Sequence, residues 1–339
     1  MNRTVGIYGL AHGHVLQYID VLKTTQNIKI VGIYDHEEHR MNDIHSKYNL
    51  PKFKKSKELL NQKLDVVIVG SETSYHLQAI KEICNYGIDI ILQKPFATSL
   101  NDAKKIIEYL KNSESRLYLA WQMRVDPQNL KIKEIVQNKI IGDILIFRRK
   151  HTLPTHRMPA FENSWHVKKD LNIGMWADDA AHPIDYLYSI FGKADTVYCD
   201  MDTLVNSSIP DDNGIAIFRY SNGMFAEIMC SFTSDIGETT TEIIGTNGYL
   251  VQYYGDLTSC NQKHEYSKTL KWKIHGDENW TYSDIKSPKK HVSRIRSLVP
   301  EFLSFINGKI PPPPISYFES LKMTLDCYES SKKGEKIRI

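Results

Sequence analysis

The stretch Val5-Gly6-Ile7-Tyr8-Gly9-Leu10-Ala11-His12-Gly13-His14 decides the fold. Residues 5–8 form a short β-rich run that stops at a glycine. Just beyond the loop, Val15, Tyr18, Ile19 and Leu22 recur at i, i+3, i+4 and i+7, which marks one face of a helix. The same unit repeats along the chain. A run over residues 28–34 ends at Asp35, and Val66-Val67-Ile68-Val69 precedes a helical face carrying Leu77, Ile80 and Cys84. Residues 88–92 end at Gln93-Lys94-Pro95. Ser99 and Asp102 then read as a capping pair ahead of the stripe Ala103, Ile106, Ile107 and Leu110. A fifth run, 117–121, closes the series. Strands that alternate strictly with helices pair in parallel, because parallel strands need crossover connections. Residues 1–121 are therefore expected to form an α/β domain, a doubly wound parallel sheet.

Past residue 121 the pattern changes. A helix over 127–137 leads to a strand over 144–150, a loop rich in Pro, His and Trp, and a helix over 175–190. β-like runs follow near 195–201, 214–220, 224–232, 240–245 and 249–254. Ser221-Asn222-Gly223 and Thr246-Asn247-Gly248 punctuate them, and Asn-Gly is the strongest short-range hairpin mark. Residues 122–339 are thus expected to form an α+β domain with a largely antiparallel open sheet. Pro311 to Pro314 read as a rigid spacer before a last helix over 317–329.

Composition narrows the function classes. The 339 residues are 41% hydrophobic and 24% charged, an ordinary globular mix for two domains. The 43 basic and 40 acidic side chains leave a net charge of +3, and residues 1–121 carry 16 and 13 of them. Neither part has the basic excess of a nucleic-acid binder, so the expected partner is a small molecule. No run approaches eighteen apolar residues and no signal-peptide pattern opens the sequence, so the expectation is no membrane partner. Five scattered cysteines (Cys84, Cys199, Cys230, Cys260 and Cys327) form no C-x-x-C pair. That pattern fits a reduced cytoplasmic protein and speaks against a disulfide framework or a cysteine-built zinc site.

Three places carry chemistry. The first is the loop Gly9-Leu10-Ala11-His12-Gly13-His14, a partial match to the G-x-G-x-x-G/A dinucleotide fingerprint, whose glycines let the backbone approach a pyrophosphate at a helix N-terminus. By itself the loop also reads as an ordinary strand-to-helix turn. Asp35 lies 22 residues after Gly13, at the end of the second strand, where a carboxylate accepts hydrogen bonds from ribose hydroxyls and repels a 2′-phosphate. The pair points to NAD, while His36 and Arg40 nearby leave accommodation of NADP open. The second place is Lys94, at the carboxyl end of the fourth strand, where ligands of open α/β sheets sit. The tripeptide Gln93-Lys94-Pro95 reads equally well as a surface lysine before a strand-ending proline. The third is Asp178-Asp179-Ala180-Ala181-His182-Pro183-Ile184-Asp185. On an α-helix Asp178 and His182 are i and i+4 and share a face, an arrangement suited to proton transfer, with Asp179 on a neighbouring face. An isolated D-x-x-x-H is more often a helix with a satisfied histidine. No second H-x-x-x-H or cysteine pair accompanies it, so no metal is expected.

Together these motifs resemble the Gfo/Idh/MocA oxidoreductases, NAD(P)-dependent dehydrogenases of sugars and cyclitols. The resemblance runs along nearly the whole chain. It includes Asp65-Val66-Val67-Ile68-Val69 through His76, Ile141-Gly142-Asp143-Ile144, Trp165-His166, Asp212-Asn213-Gly214 and Ile244-Gly245-Thr246-Asn247-Gly248. It implies a Rossmann first domain and a cofactor set of Gly9, Ala11, His12, Gly13, His14, Asp35, Ser71, Thr73, His76 and Lys94. Lys94, Asp178 and His182 match the family's catalytic motifs. His182 would act as general base, Lys94 would hydrogen-bond the same substrate oxygen, and Asp178 would orient and support both. The substrate pocket is expected between the domains, with Arg124, Trp165, His166 and Met175 as walls beside Lys94, Asp178 and His182. A structural packing role reads equally well for those four. Gln93 replaces the family's usual glutamate, Ala11 and His14 replace glycines, Ser71-Glu72-Thr73 replaces a small residue and proline, and Asn172-Ile173-Gly174 keeps one glycine of three.

The implied activity is NAD-dependent oxidation of a secondary alcohol on a sugar, sugar acid or cyclitol. Two alternatives stand beside it: a redox-assisted glycosidase or eliminase, and a non-catalytic NAD- and sugar-binding regulatory protein. The open sheet is expected to mediate a homodimer or homotetramer.

Overall fold

The computed structural model describes residues 2–235, 238–255, 269–286 and 291–339. Cys260 lies outside the described residues. The chain divides into two compact units. One comprises Met1–Trp121, Asp170–Asn172 and Ile295–Phe318; the other comprises Gln122–Lys169, Ile173–Arg294 and Glu319–Ile339.

The first unit follows the alternation read from the sequence. Strands β1 (Arg3–Tyr8), β2 (Ile28–Tyr34), β3 (Val66–Val69), β4 (Asp89–Leu92) and β5 (Leu117–Leu119) form one sheet in the order β2-β1-β3-β4-β5. Every pairing is parallel. β3 is buried at all four positions, as a central strand covered on both faces requires. Helix α1 (His14–Leu22) buries Val15, Tyr18, Ile19 and Leu22, the four residues its periodicity marks. Between β2 and β3 lie α2 (Glu38–Tyr48) and a short α3 (Ser56–Leu60), and α4 (His76–Cys84) follows β3. The Ser99 hydroxyl accepts the Asp102 N–H at 3.0 Å and caps α5 (Leu100–Lys111).

Two stretches assigned from sequence to the second domain pack in the first unit instead. Ile295–Phe318 covers aromatic surface that residues 1–121 leave open. Phe302 meets Tyr18 edge-on at 4.9 Å and Tyr118 at 5.7 Å, and Tyr317 lies 5.9 Å from Phe96. Arg296 also pairs with Asp20 at 2.8 Å.

The second unit holds α6 (Pro127–Gln137), whose N-cap Asp126 accepts from Gln128 and Asn129, and a nine-stranded sheet. Its strands are β6 (Ile144–Thr152), β7 (Thr196–Asp202), β8 (Asn213–Arg219), β9 (Phe225–Ser231), β10 (Glu238–Gly245), β11 (Gly248–Gly255), β12 (Leu270–Ile274), β13 (Thr281–Tyr282) and β14 (Ile337–Arg338). They run in the order β13-β12-β11-β10-β6-β9-β8-β7-β14. β6 and β9 pair in parallel and the other neighbours are antiparallel. Both Asn-Gly signals mark hairpins, β8–β9 and β10–β11. Two of the quoted motifs lock onto each other: Asp143 N–H donates to the Thr246 hydroxyl at 3.0 Å and Thr246 N–H returns to the Asp143 carbonyl at 2.9 Å. No helix among the described residues is long and apolar enough to cross a membrane.

The helix expected over 175–190 is in two parts. Trp176–Ala180 is a π-helical turn, with the Ala181 N–H bonded to the Trp176 carbonyl, and α7 (Ala181–Phe191) continues from it. A π turn carries i→i+5 bonds, so the i,i+4 geometry of an ideal helix does not hold across it.

Candidate active site

In the first unit the loop after β1 is shaped by its first glycine. Gly9 has φ +84°, and a Cβ there would lie 2.4 Å from the Ser71 nitrogen. No L side chain fits that backbone or that gap. Gly13 is the reverse case, since a Cβ would meet nothing within 4 Å. It caps α1 with no acidic residue in the first turn, and His12 takes the first helical N–H groups, His14 N–H donating to its Nδ1 at 3.3 Å and Val15 N–H to its carbonyl at 3.0 Å. The Ser71 and Thr73 hydroxyls are buried with no hydrogen-bond partner among the described residues. Asp35 ends β2 and is 2% exposed. Its Oδ2 accepts the Leu10 N–H at 2.6 Å and its Oδ1 accepts the Glu37 N–H at 2.7 Å. The carboxylate thus ties the glycine loop to the end of β2. A tight glycine, a helix N-terminus without an acidic first turn, two buried hydroxyls and a terminal carboxylate fit a dinucleotide.

His76 is fully buried at the start of α4. Burial drives its pKa down to about 4, against the upward pull of the Phe96, Ser71 and Pro95 backbone and of Glu72. It is a neutral imidazole at physiological pH. Arg40 bridges two strand ends, with Nη2 2.7 Å from Glu72 and Nη1 3.4 Å from Asp35. Sequence reading placed Arg40 near Asp35 but gave Glu72 no role. A carboxylate inside an otherwise buried loop was the available signal.

Lys94 is 2% exposed, not a surface lysine. The replacement of glutamate by Gln93 has a local explanation. Gln93 Nε2 donates to the Tyr18 hydroxyl, and its Oε1 accepts the Lys94 N–H at 3.3 Å. A neutral amide satisfies both groups without adding a buried charge.

In the second unit the π turn redistributes the carboxylates. Asp178 Oδ2 lies 3.1 Å from His166 Nδ1, whereas the carboxylate 4.0 Å from His182 Nε2 belongs to Asp179. Sequence spacing had put Asp178 over His182 and Asp179 on another face. The i→i+5 winding between them departs from the i,i+4 register that the spacing assumes. His166 is stacked on Trp165, centroids 3.9 Å apart, and on Phe161 at 5.2 Å. The turn is pinned at its start. The Tyr328 hydroxyl accepts the Ala177 N–H at 3.1 Å, and a Cβ on Gly174 would fall 2.2 Å from the Asp211 carboxylate. A side chain at this remaining glycine of the 172–174 segment would have to displace the Asp211 carboxylate.

Two proposed walls have structural partners. Arg124 makes a two-pronged contact to Asp185, both distances 2.7 Å, and Ser320 adds a third bond to the same carboxylate. Met175 is fully buried in the hydrophobic core. Asp212 accepts the N–H groups of Leu204 and Val205, which makes Asp212-Asn213-Gly214 a loop brace.

The fold and the glycine loop define an NAD-binding oxidoreductase. Residues 3–120 match the profile described as an oxidoreductase family with an NAD-binding Rossmann fold, and residues 129–251 match the GFO/IDH/MocA C-terminal domain. The chain belongs to the Gfo/Idh/MocA family and is an enzyme of the NAD(P)-dependent dehydrogenase class. It is 25% identical over 315 residues to a myo-inositol 2-dehydrogenase of Thermotoga maritima, covering 90% of this chain and 92% of that one. Two solved structures share the fold at 17% identity. A levoglucosan dehydrogenase in complex with NADH superposes with a TM-score of 0.84, covering 100% of this chain and 99% of that one. An oxidoreductase from Agrobacterium radiobacter, in complex with NAD+, L-tartaric acid and magnesium, superposes at 0.82, covering 100% and 98%.

Proposed function

We propose that the protein oxidises a secondary alcohol on a sugar, sugar acid or cyclitol, with NAD as hydride acceptor. One observation carries this reading: Lys94, Asp178 and His182, the groups the family's chemistry needs, are 2%, 1% and 3% exposed. Buried chargeable groups cost stability and concentrate where they are used. Relatives named as dehydrogenases of myo-inositol and levoglucosan support the substrate class.

The bound dinucleotide supplies the hydride acceptor, and the chain handles the proton. His182 takes the proton of the reacting hydroxyl. Lys94 donates a hydrogen bond to the same oxygen and stabilises its developing negative charge. Asp178 acts through His166, which it holds against Trp165, and Asp179 is the carboxylate beside His182. Gly9, Ala11, His12, Gly13 and His14 take the pyrophosphate, Asp35 the ribose, and Ser71, Thr73 and His76 complete the cofactor set.

The outer face of the nine-stranded sheet, with Tyr198, Ile215, Ile217, Phe225 and Tyr253 all exposed, supports a homodimer or homotetramer. Free thiols at Cys84, Cys199, Cys230 and Cys327 support a cytoplasmic setting.

The test is NAD reduction across a panel of sugars, sugar acids and cyclitols. At least one member should give NADH in step with the oxidised product. Release of a free sugar or an alkene without net NADH would replace this reading with the redox-assisted one. Tight NADH binding without turnover on any member would replace it with a binding role.

A further inference from the structure

The end of β2 holds an unusual charge arrangement that the hydride chemistry does not need. Glu72 follows β3 and is 1% exposed. Its Oε1 lies 2.7 Å from Arg40 Nη2 and 3.8 Å from His36 Nε2, while its buried Oε2 has no hydrogen-bond partner among the described residues. The other side of the same guanidinium faces Asp35 at 3.4 Å, and the His36 ring packs against Tyr75 at 4.8 Å. Glu37 lies within 4.0 Å of His36 as well. Three carboxylates therefore surround one permanent cation, and two of them are buried.

This is the place in a doubly wound fold where a nearby arginine accommodates the 2′-phosphate of NADP. A guanidinium serves a phosphate best with its two-pronged face free. Here that face is divided between Asp35 and Glu72. A phosphate would bring about two negative charges into a cluster already acidic overall. Asp35 is the expected source of discrimination in such a site. Glu72 adds a separate one, because it holds Arg40, the permanent cation of this cluster.

We propose that Glu72 is a specificity-determining residue for the cofactor: it withholds Arg40 from a 2′-phosphate and so reinforces the choice of NAD. The inference rests on the dinucleotide site alone and is independent of which alcohol is oxidised.

The experiment measures NADH and NADPH dissociation constants on the whole protein, by calorimetry, without substrate. In Glu72→Gln the amide keeps the shape but releases the guanidinium. NADPH should bind about tenfold tighter, the worth of one charge-assisted hydrogen bond. NADH should stay within about threefold, since it makes no use of Arg40. The NADPH gain should vanish in Glu72→Gln/Arg40→Ala. Glu72→Asp, which keeps the charge but draws it back from Arg40, gives a second reading and should gain NADPH affinity partially. Unchanged NADPH affinity in both Glu72 variants would overturn the proposal. So would a gain that survives loss of Arg40, or equal weakening of both cofactors, which would make Glu72 a brace of the loop.

Discussion

His76 offers a pH test of how the cofactor side of the first unit is built. Its ring is fully buried and its pKa lies near 4, against about 6.5 for a free histidine. Between those values the unfolded chain takes up a proton that the folded chain refuses. Stability therefore rises with pH across this window and is lost as pH falls through it. The difference corresponds to about 3 kcal/mol in all, with somewhat under half of it gone by pH 5.5 and most of it by pH 4.5. His76→Gln removes the titrating group and keeps a polar side chain. Urea unfolding of both proteins at several pH values between 4.5 and 7.5 isolates the term as a difference of slopes, read on the transition that the substitution moves. The wild type should lose stability faster than His76→Gln by those amounts as the solution is acidified. Parallel curves would mean that His76 accepts its proton in the folded state, and the account of a neutral, desolvated imidazole beside Ser71 and Pro95 would fail.

Other substitutions probe the rest of the site. Asp35→Ser should narrow the preference for NADH over NADPH in calorimetry, by removing repulsion of the 2′-phosphate; equal affinities in the unmutated protein would reject Asp35 as the discriminator. Lys94→Ala and His182→Ala should each lower kcat by about 10²–10⁴-fold while NADH still binds nearly normally. Most of the turnover surviving in His182→Ala would remove it from the base role. Asp178→Asn and His166→Gln break one hydrogen-bonded pair, 3.1 Å long, so the double variant should lose little more kcat/KM than the worse single one. Fully additive losses would show that the two act separately. Gly9→Ala should abolish NADH binding in a folded protein, since the new methyl would stand 2.4 Å from the Ser71 backbone. Retained binding with unchanged circular dichroism would disprove that constraint.

The first sheet was legible because each strand and helix there follows its own period closely, down to the Ser99 cap and the buried stripe of α1. The hairpins of the second sheet were legible through their Asn-Gly turns. β12, β13 and β14 were not: Leu270–Ile274 alternates lysine with apolar residues around one tryptophan, and the other two strands are two residues long. Short strands of mixed polarity take their state from their neighbours. Lys94, Asp178 and His182 could be named from motif spacing, but their partners could not. A period of 3.6 relates Asp178 to His182 but says nothing of His166, twelve residues earlier, which Asp178 bonds from a π turn. The Arg40–Glu72 pair joins helix α2 to the loop after β3 across 32 positions of sequence, where no local pattern reports on it.

The return of Ile295–Phe318 to the first unit has a consequence for how the protein is made. During synthesis, amino-terminal domains ordinarily fold as they leave the ribosome. Here the five strands are all translated by residue 119, yet Tyr18, Phe96 and Tyr118 wait for Phe302, Phe305 and Tyr317. At about 5–20 residues per second, roughly 200 further residues take about 10–40 s to emerge. For that interval the nascent sheet carries an uncovered aromatic surface, a binding site for chaperones. A fragment ending at residue 121 would keep that surface for good, and a soluble excised cofactor domain would need the 295–318 segment supplied with it.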